Sequence, residues 1–345
     1  MQRFEGELST YFGGRPVRAF AHATAALETA VRLAGVGPGD EVIVPAMTFV
    51  ASANVVLLAG GRPVLVDVDL DSRNTDAARI EAAITPRTKA IMPVHFSGLP
   101  VDLEPIYALA KRRGLRVIED AAHAMGAQYG GRRIGAQGDL VAFSFHPNKN
   151  ITTIEGGALS FGHPGFGQPD EVERAERLRF HGIRKLPDGT MDVLEHAGKS
   201  NLADVSASIG LAQLAKLERF NARRAELAQQ YFRKLDGVAH LRLPASHRAG
   251  HAWHLFAPLI DFDALRITRA GFIEAMHARG IGTGVHYPAM HLFEAFRRLG
   301  YREGDFPNAE TIGARTLTLP LFTQMEEEDV DRVCSTLKDL IKRPA

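Results

Sequence analysis

Ser144-Phe145-His146-Pro147-Asn148-Lys149-Asn150-Ile151-Thr152-Thr153-Ile154-Glu155-Gly156-Gly157 joins two apolar segments, residues 140–145 and 158–161. Each segment reads as a short buried strand. His146-Pro147 stops regular pairing, because proline has no N–H and biases the residue before it toward extended geometry. One lysine follows, and the paired glycines let the backbone turn into the second strand. A single amine on a strand-end loop among small polar residues suits covalent chemistry through an imine. Loop lysines are more often simply solvated, so this reading needs partners.

The first partner is Leu115-Arg116-Val117-Ile118-Glu119-Asp120-Ala121-Ala122-His123-Ala124, a β-branched run that ends in two carboxylates. In an open α/β sheet that tip is where ligands bind. Asp120 there reads equally as an acid paired with a heteroaromatic ring nitrogen or as the N-cap of a following helix. The second partner is Ala21-His22-Ala23-Thr24-Ala25-Ala26-Leu27, which opens an amphipathic helix ending near Gly35. Its first N–H groups and its dipole suit an anion such as phosphate. No G-x-G-x-x-G or Walker-type loop competes for that role. A phosphate cup, an acid and a later lysine are the parts that pyridoxal 5'-phosphate (PLP) requires.

On these motifs, with Glu155-Gly156-Gly157, the chain resembles the DegT/StrS-type aminotransferases, PLP-dependent sugar aminotransferases of the aspartate aminotransferase fold (fold type I). The resemblance runs over nearly the whole chain. It implies an α/β protein with a large, mostly parallel mixed sheet flanked by helices, and a smaller C-terminal α/β domain. Lys149 would be the Schiff-base lysine and proton carrier, and Asp120 would keep the pyridine ring protonated. Thr24, Ala25 and Ser144 would hold the cofactor phosphate, and His123 would contact the cofactor's phenolic oxygen. Phe49 would stack on the ring; as a sequence feature it reads as readily as a core aromatic. His146, His286 and Tyr287 would face substrate, although a histidine before proline is also a natural structural residue. Asn201 would reach the phosphate held by a second subunit, which implies a homodimer with shared active sites; a plain N-cap is the other natural role for it.

Within the family the chain looks most like the UDP-4-amino-4-deoxy-L-arabinose aminotransferases. The supporting stretches are Lys199-Ser200-Asn201-Leu202-Ala203-Asp204, His251-Ala252-Trp253-His254-Leu255-Phe256 and Arg279-Gly280-Ile281-Gly282-Thr283-Gly284-Val285-His286, together with a histidine at 123. The implied reaction carries an amino group from L-glutamate to a 4-keto nucleotide sugar, UDP-4-keto-pentose first and a 4-keto-6-deoxyhexose as the alternative. Lys149 argues against a sugar 3-dehydrase of the same fold, which has histidine there. The missing dinucleotide fingerprint argues against an oxidoreductase. A non-catalytic PLP-fold regulator is the remaining rival, and retention of both Asp120 and Lys149 counts against it.

The 345 residues suit one large or two modest domains, and a boundary is expected near residue 237, giving 1–237 and 238–345. With 41 Lys+Arg against 40 Asp+Glu, no overall basic field recruits nucleic acid or an anionic membrane. The one cysteine, Cys334, excludes an intrachain disulfide, and no metal is required by this chemistry. Neither a membrane span nor a signal-peptide pattern is apparent, so a cytoplasmic protein is expected.

From residue 41 strands and helices alternate: strands at 41–45, 62–68 and 89–95, helices at 48–59, 76–84 and 102–113. Further helices are expected at 169–180, 205–217 continuing toward 235, 269–279 and 326–341, and strands at 254–260 and 282–287. Residues 181–199 read as loop. His95 reads as a core histidine that could also face the site. Before residue 20 the chain departs from the family pattern, which usually carries an extra opening segment with a first helix: it reaches the cup helix almost at once, so either the start is called late or part of the substrate wall is expected to be missing.

Overall fold

The computed structural model describes residues 1–162, 170–245 and 250–342. Strands Val17–Phe20 (β1), Glu41–Pro45 (β2), Arg62–Val66 (β3), Thr88–Ile91 (β4) and Arg116–Asp120 (β5) come first. A small hairpin, Gln128–Tyr129 (β6) with Arg132–Arg133 (β7), precedes Leu140–Ser144 (β8) and Gly157–Phe161 (β9). Hairpin apart, these strands form one seven-stranded sheet in the order β1-β9-β8-β5-β4-β2-β3. Its pairs are parallel except those made by β9, which runs against both neighbours.

Strand side chains alternate between faces, and the core divides accordingly. Val42, Val44, Ile118, Leu140 and Ala142 belong to one buried cluster with helices Ala23–Leu33 (α2) and Ala51–Leu58 (α3). Ile43, Val117, Val141 and Phe143 belong to another on the far side. That second cluster includes Phe4 and Leu8 of helix Gln2–Tyr11, which is therefore numbered first (α1), and Ile106 and Leu109 of the later helix Leu103–Arg113. With both faces covered, parallel strands read as near-continuous apolar runs.

Between β3 and β5 lie Ala77–Ala83 (α4) and that Leu103–Arg113 helix (α5), which stops at Gly114 in a left-handed conformation (φ 66°) after three basic residues suited to the negative end of its dipole. Beyond β9 come Glu171–Leu178 (α6), a two-stranded arm of Ile183–Lys185 (β10) with Met191–Val193 (β11), then Asp204–Leu214 (α7) and Leu217–Leu235 (α8). The C-terminal part holds Leu241–Arg242 (β12) paired with Leu259–Ile260 (β13), and helices Arg269–His277 (α9), Glu294–Arg297 (α10), Pro307–Arg315 (α11) and Glu327–Lys342 (α12). A third buried cluster joins the second half of α8, through Leu227, Tyr231 and Leu235, to Phe256, Phe272 and the apolar face of α12. Among the described residues no helix is long and apolar enough to cross a membrane.

Several expectations are corrected. An opening helix and a strand do precede the cup helix: α1 buries Phe4 and Leu8, and β1 pairs with β9. Residues 181–199 are not plain loop but carry the β10–β11 arm, whose outward side chains lack the apolar alternation of a half-buried strand. The expected strand at 254–260 shrinks to β13 plus one bridge at Phe256, and that at 282–287 to one bridge between Gly284 and Thr318. These segments are held by isolated cross-contacts to residues 316–319, pairings too distant in sequence to read. The long helix expected from 205 is two helices broken at Ala215 and Lys216. Pro169, the expected start of the 169–180 helix, lies outside the described residues.

Candidate active site

The C-terminal ends of β5 and β8 lie side by side, with Asp120 opposite Ala142 in register. Strand alternation separates the two carboxylates of β5. Glu119 points into the core, where His95 Nε2 lies 2.9 Å from Oε2 and Tyr107 donates to Oε1 at 2.6 Å. His95 Nδ1 accepts the Val101 N–H, so its proton sits on Nε2 and is donated to Glu119; His95 is a satisfied core histidine. Asp120 points the other way, into a cavity of about 300 Å³.

That cavity gathers residues from six separate segments, Val94 beyond β4 among them. Asp120 ends β5 and His123 follows it, while Ser144 ends β8 and His146 and Lys149 follow. Thr24 comes from the first turn of α2, Phe49 from the approach to α3, and His286 with Tyr287 from the C-terminal part. Two expected members are not in this wall. Ala25 is buried beneath it and gives its N–H to His22 Nδ1 at 3.1 Å. Asn201 bridges Phe20 and keeps a buried Oδ1 without a hydrogen-bond partner among the described residues.

The lysine loop is pinned from both sides. The Phe145 N–H donates to Gly156 O at 2.8 Å, and the Thr153 N–H returns to Phe145 O at 2.9 Å. Thr152 Oγ1 also donates to Phe145 O, while the Lys149 N–H closes a turn on His146 O. Next to the lysine, Asn150 donates to Asn221 Oδ1 at 2.7 Å and to Ala252 O at 2.8 Å, tying the loop to α8 and the C-terminal part. Gly157 allows β9 to pass the start of α2: a Cβ there would stand 2.6 Å from Ala23 N and His22 C. The glycine pair in the motif thus serves close approach as well as turning.

Burial sets the electrostatics. Loss of water pushes the Lys149 amine down to about 8, with the Asp120 carboxylate opposing. Desolvation, joined by the positive field of Lys149, holds His123, His254 and His286 below the usual histidine range. Burial first, and then the charge of Asp120, push the Tyr287 phenol up, so it remains protonated. Ser97 donates its N–H to His123 Nδ1 at 3.3 Å, which places the ring proton on Nε2, the atom that lies 3.3 Å from the Tyr287 oxygen. Around the Lys149 amine and the Asp120 carboxylate the wall therefore presents His123 and His286, both biased toward the neutral form, and the protonated Tyr287 phenol. Among the described residues no cluster of histidine, cysteine and acidic side chains is arranged to hold a metal.

This donor set fits PLP. A primary amine that loses its proton readily suits an aldehyde. The Thr24 and Ser144 hydroxyls beside the start of an eleven-residue helix suit a phosphate. A carboxylate suits a protonated ring nitrogen, and Phe49, 53% exposed and 5.7 Å from the Tyr287 ring, offers a flat apolar face.

Sequence reading missed His22, Thr48, Asn148 and Glu155, which also line the cavity, and Ser52 just behind it. His22 carried a legible signal, standing where a capping serine or threonine would precede a helix. For Ser52 no signal existed, because its partner lies 68 residues away.

Comparison with known proteins places the chain in a family. The model of the DegT/DnrJ/EryC1/StrS aminotransferase family matches residues 1–338. DesV from S. venezuelae is 36% identical, with 100% of this chain and 90% of that chain covered and a TM-score of 0.91. Spr1654 from Streptococcus pneumoniae, solved in a PLP form, is 31% identical over 99% of this chain and 91% of its own, with a TM-score of 0.92. DesI, solved in the presence of its TDP-sugar product, is 30% identical over 99% and 84%, with a TM-score of 0.88.

Proposed function

The chain belongs to the DegT/DnrJ/EryC1/StrS aminotransferase family, and from that premise we propose that it is a cytoplasmic homodimer moving an amino group from L-glutamate to a 4-keto nucleotide sugar, with UDP-4-keto-pentose as acceptor. Its cofactor is PLP, which when bound supplies an electron sink for the carbon that loses its proton. The observation that carries the reading is a lysine amine brought down to about 8 in the same cavity as a buried aspartate.

Lys149 would hold the cofactor through its aldehyde carbon, and its amine, when free, would accept the proton lost from the donor's Cα and carry it as the general base and acid of the transfer. Asp120 would hold the proton of the ring nitrogen. Thr24, Ser144 and the first N–H groups of α2 hold the phosphate, with Ala25 supporting that turn from below. His123 would donate a hydrogen bond from its Nε2–H to the cofactor's phenolic oxygen, and Phe49 would cover the ring. His146, His286 and Tyr287 form the substrate side of the wall. Water is kept from the reacting atoms by the buried floor around Lys149.

Two observations support the homodimer. The β10–β11 arm leaves Met191, Val193 and Leu194 exposed, and Asn201 has a buried oxygen without a partner among the described residues. A shared interface would cover the first and employ the second. The nucleotide-sugar acceptor is supported by the TDP-sugar product of DesI. The pentose rests on the motif resemblance around residues 199–204, 251–256 and 279–286, with a 4-keto-6-deoxyhexose as the second reading.

The test is an absorption spectrum of the purified protein with PLP, before and after L-glutamate. A bound-cofactor band that glutamate converts to the pyridoxamine form supports the reading, and absence of bound PLP sinks it. Parallel reactions of the aminated enzyme with UDP-4-keto-pentose and with a nucleotide-bound 4-keto-6-deoxyhexose then decide the acceptor.

A further inference from the structure

The floor of the cavity contains a chain of hydroxyls that the amino-transfer chemistry has not yet used. Ser52 Oγ donates to Asp120 Oδ2 at 2.7 Å, and Thr48 Oγ1 lies 2.9 Å from Ser52 Oγ. Ser52 is fully buried and Thr48 nearly so. The other aspartate oxygen, Oδ1, accepts the Ala122 N–H at 3.1 Å. Both carboxylate oxygens are thus held, one by backbone and one by side chain.

A serine near the start of a helix commonly gives its proton to local backbone. Ser52 has such an acceptor in Phe49 O, at 3.2 Å, but its single proton has the aspartate oxygen at 2.7 Å as the alternative. A hydrogen bond to an ionised oxygen is the shorter and stronger kind, so the proton goes to Asp120. The lone pairs of Ser52 are then free to receive the Thr48 proton. All the donors run one way, from Thr48 to Ser52 to Asp120. A disordered hydroxyl pair would impose no direction; this one ends on the carboxylate.

We propose that Ser52 and Thr48 are positioning residues, which hold the Asp120 carboxylate in the rotamer and charge state that keep the cofactor's ring nitrogen protonated. This rests on the PLP reading above. Neither hydroxyl touches the reacting carbon; both act through Asp120. Without Ser52, Oδ2 keeps no side-chain hydrogen-bond donor among the described residues, and the carboxylate is held only through Oδ1 by the Ala122 N–H.

The test uses the full-length holoenzyme loaded with PLP labelled with ¹⁵N in the ring, whose nitrogen resonance reports protonation directly. The wild-type nitrogen is expected to stay protonated between about pH 6 and about pH 9, and in Ser52→Ala to lose its proton within that window. PLP affinity, measured by equilibrium titration of the apo-protein, falls about three- to tenfold with it. Ser52→Thr keeps the hydroxyl and restores the wild-type titration; Thr48→Val shifts it in the same direction by less. A wild-type nitrogen titration in Ser52→Ala overturns the proposal while leaving the aminotransferase reading intact. Should Ser52→Ala not fold, the near-isosteric Thr48→Val decides, an unchanged titration again overturning it. A wild-type protein that binds no PLP removes the reading on which the proposal stands, and the proposal with it.

Discussion

The floor of the cavity and the β10–β11 arm solve opposite problems. At the floor the polar groups find their partners inside one chain: Asp120 has Ser52 and Ala122, Asn150 has Asn221 and Ala252, and Glu119 has His95 and Tyr107. The arm holds apolar side chains in solvent instead, Met191 at 68% and Val193 at 55% exposure. Beside it, the carboxylate of Glu195 accepts from Arg174 and Arg32. Buried polar groups left unpaired are costly, so a chain must satisfy its own chemistry before it can fold. Exposed apolar area is tolerated until a partner covers it, and covering it stabilises by about 25 cal/mol per Å². The comparison teaches that one chain builds the reactive floor alone, whereas the outer edge carries the apolar area that the proposed dimer would cover.

Four substitutions break or sharpen that contrast. Lys149→Ala has the largest effect, removing covalent capture of PLP and all amino transfer, as spectra and a coupled glutamate assay would show. The same change should raise the melting temperature of the apo-protein near neutral pH. The native amine has a value of about 8, below the 10.5 of a free lysine. Between those values the unfolded chain binds the extra proton, so the amine's contribution to stability is complete at high pH and is lost as pH falls through about 8. At neutral pH the native state therefore carries a half-buried ammonium, and deleting it relieves that cost. A melting temperature that falls instead would show the amine to be better solvated than its surroundings imply.

Asp120→Asn comes next. It keeps the cavity's shape and should retain PLP, while lowering single-turnover transfer from glutamate on the order of 10³-fold, within the range for loss of a proton-holding group. Retention of near-normal turnover would mean that the ring nitrogen needs no anion. Gly157→Ala drives a methyl against the backbone at His22 and Ala23, and should cost about 1–3 kcal/mol in urea unfolding together with weaker PLP binding. Val193→Glu is the smallest change for the chain itself, within about 0.5 kcal/mol for an exposed site. Sedimentation velocity should nevertheless show the dimer giving way to monomer. A dimer that survives would free the arm from the interface and leave its apolar face unexplained.

How far each feature could be read depended on the distance between its parts. The Asp120 strand and the lysine loop are local patterns, an apolar run closed by a charged or breaking residue, and the expected strands at 41–45 and 62–68 and the helix at 102–113 lie where such patterns place them. Between β8 and β9 the reading also held, since proline and two glycines leave the backbone little choice. The arm at 183–193 defeated it because outward-facing strands lack apolar alternation. So did the 254–260 and 282–287 segments, where a single bridge to a distant residue stands in for a ladder. The opening helix was overlooked although Phe4 and Leu8 stand four residues apart, a spacing that places both on one helical face.

By itself the sequence determined the reactive inventory: one loop lysine, an acid at a strand tip, a small-residue helix start and a glycine pair. Those identities follow from residue type and near neighbours, which no later packing can change. Tertiary structure alone decided how they are used. It turned Asp120 into the cavity and Glu119 into the core, and set Ser52 behind an aspartate 68 residues away. Orientation and hydrogen-bond partnership depend on which distant segments share a sheet end, and that is settled only when the core has closed.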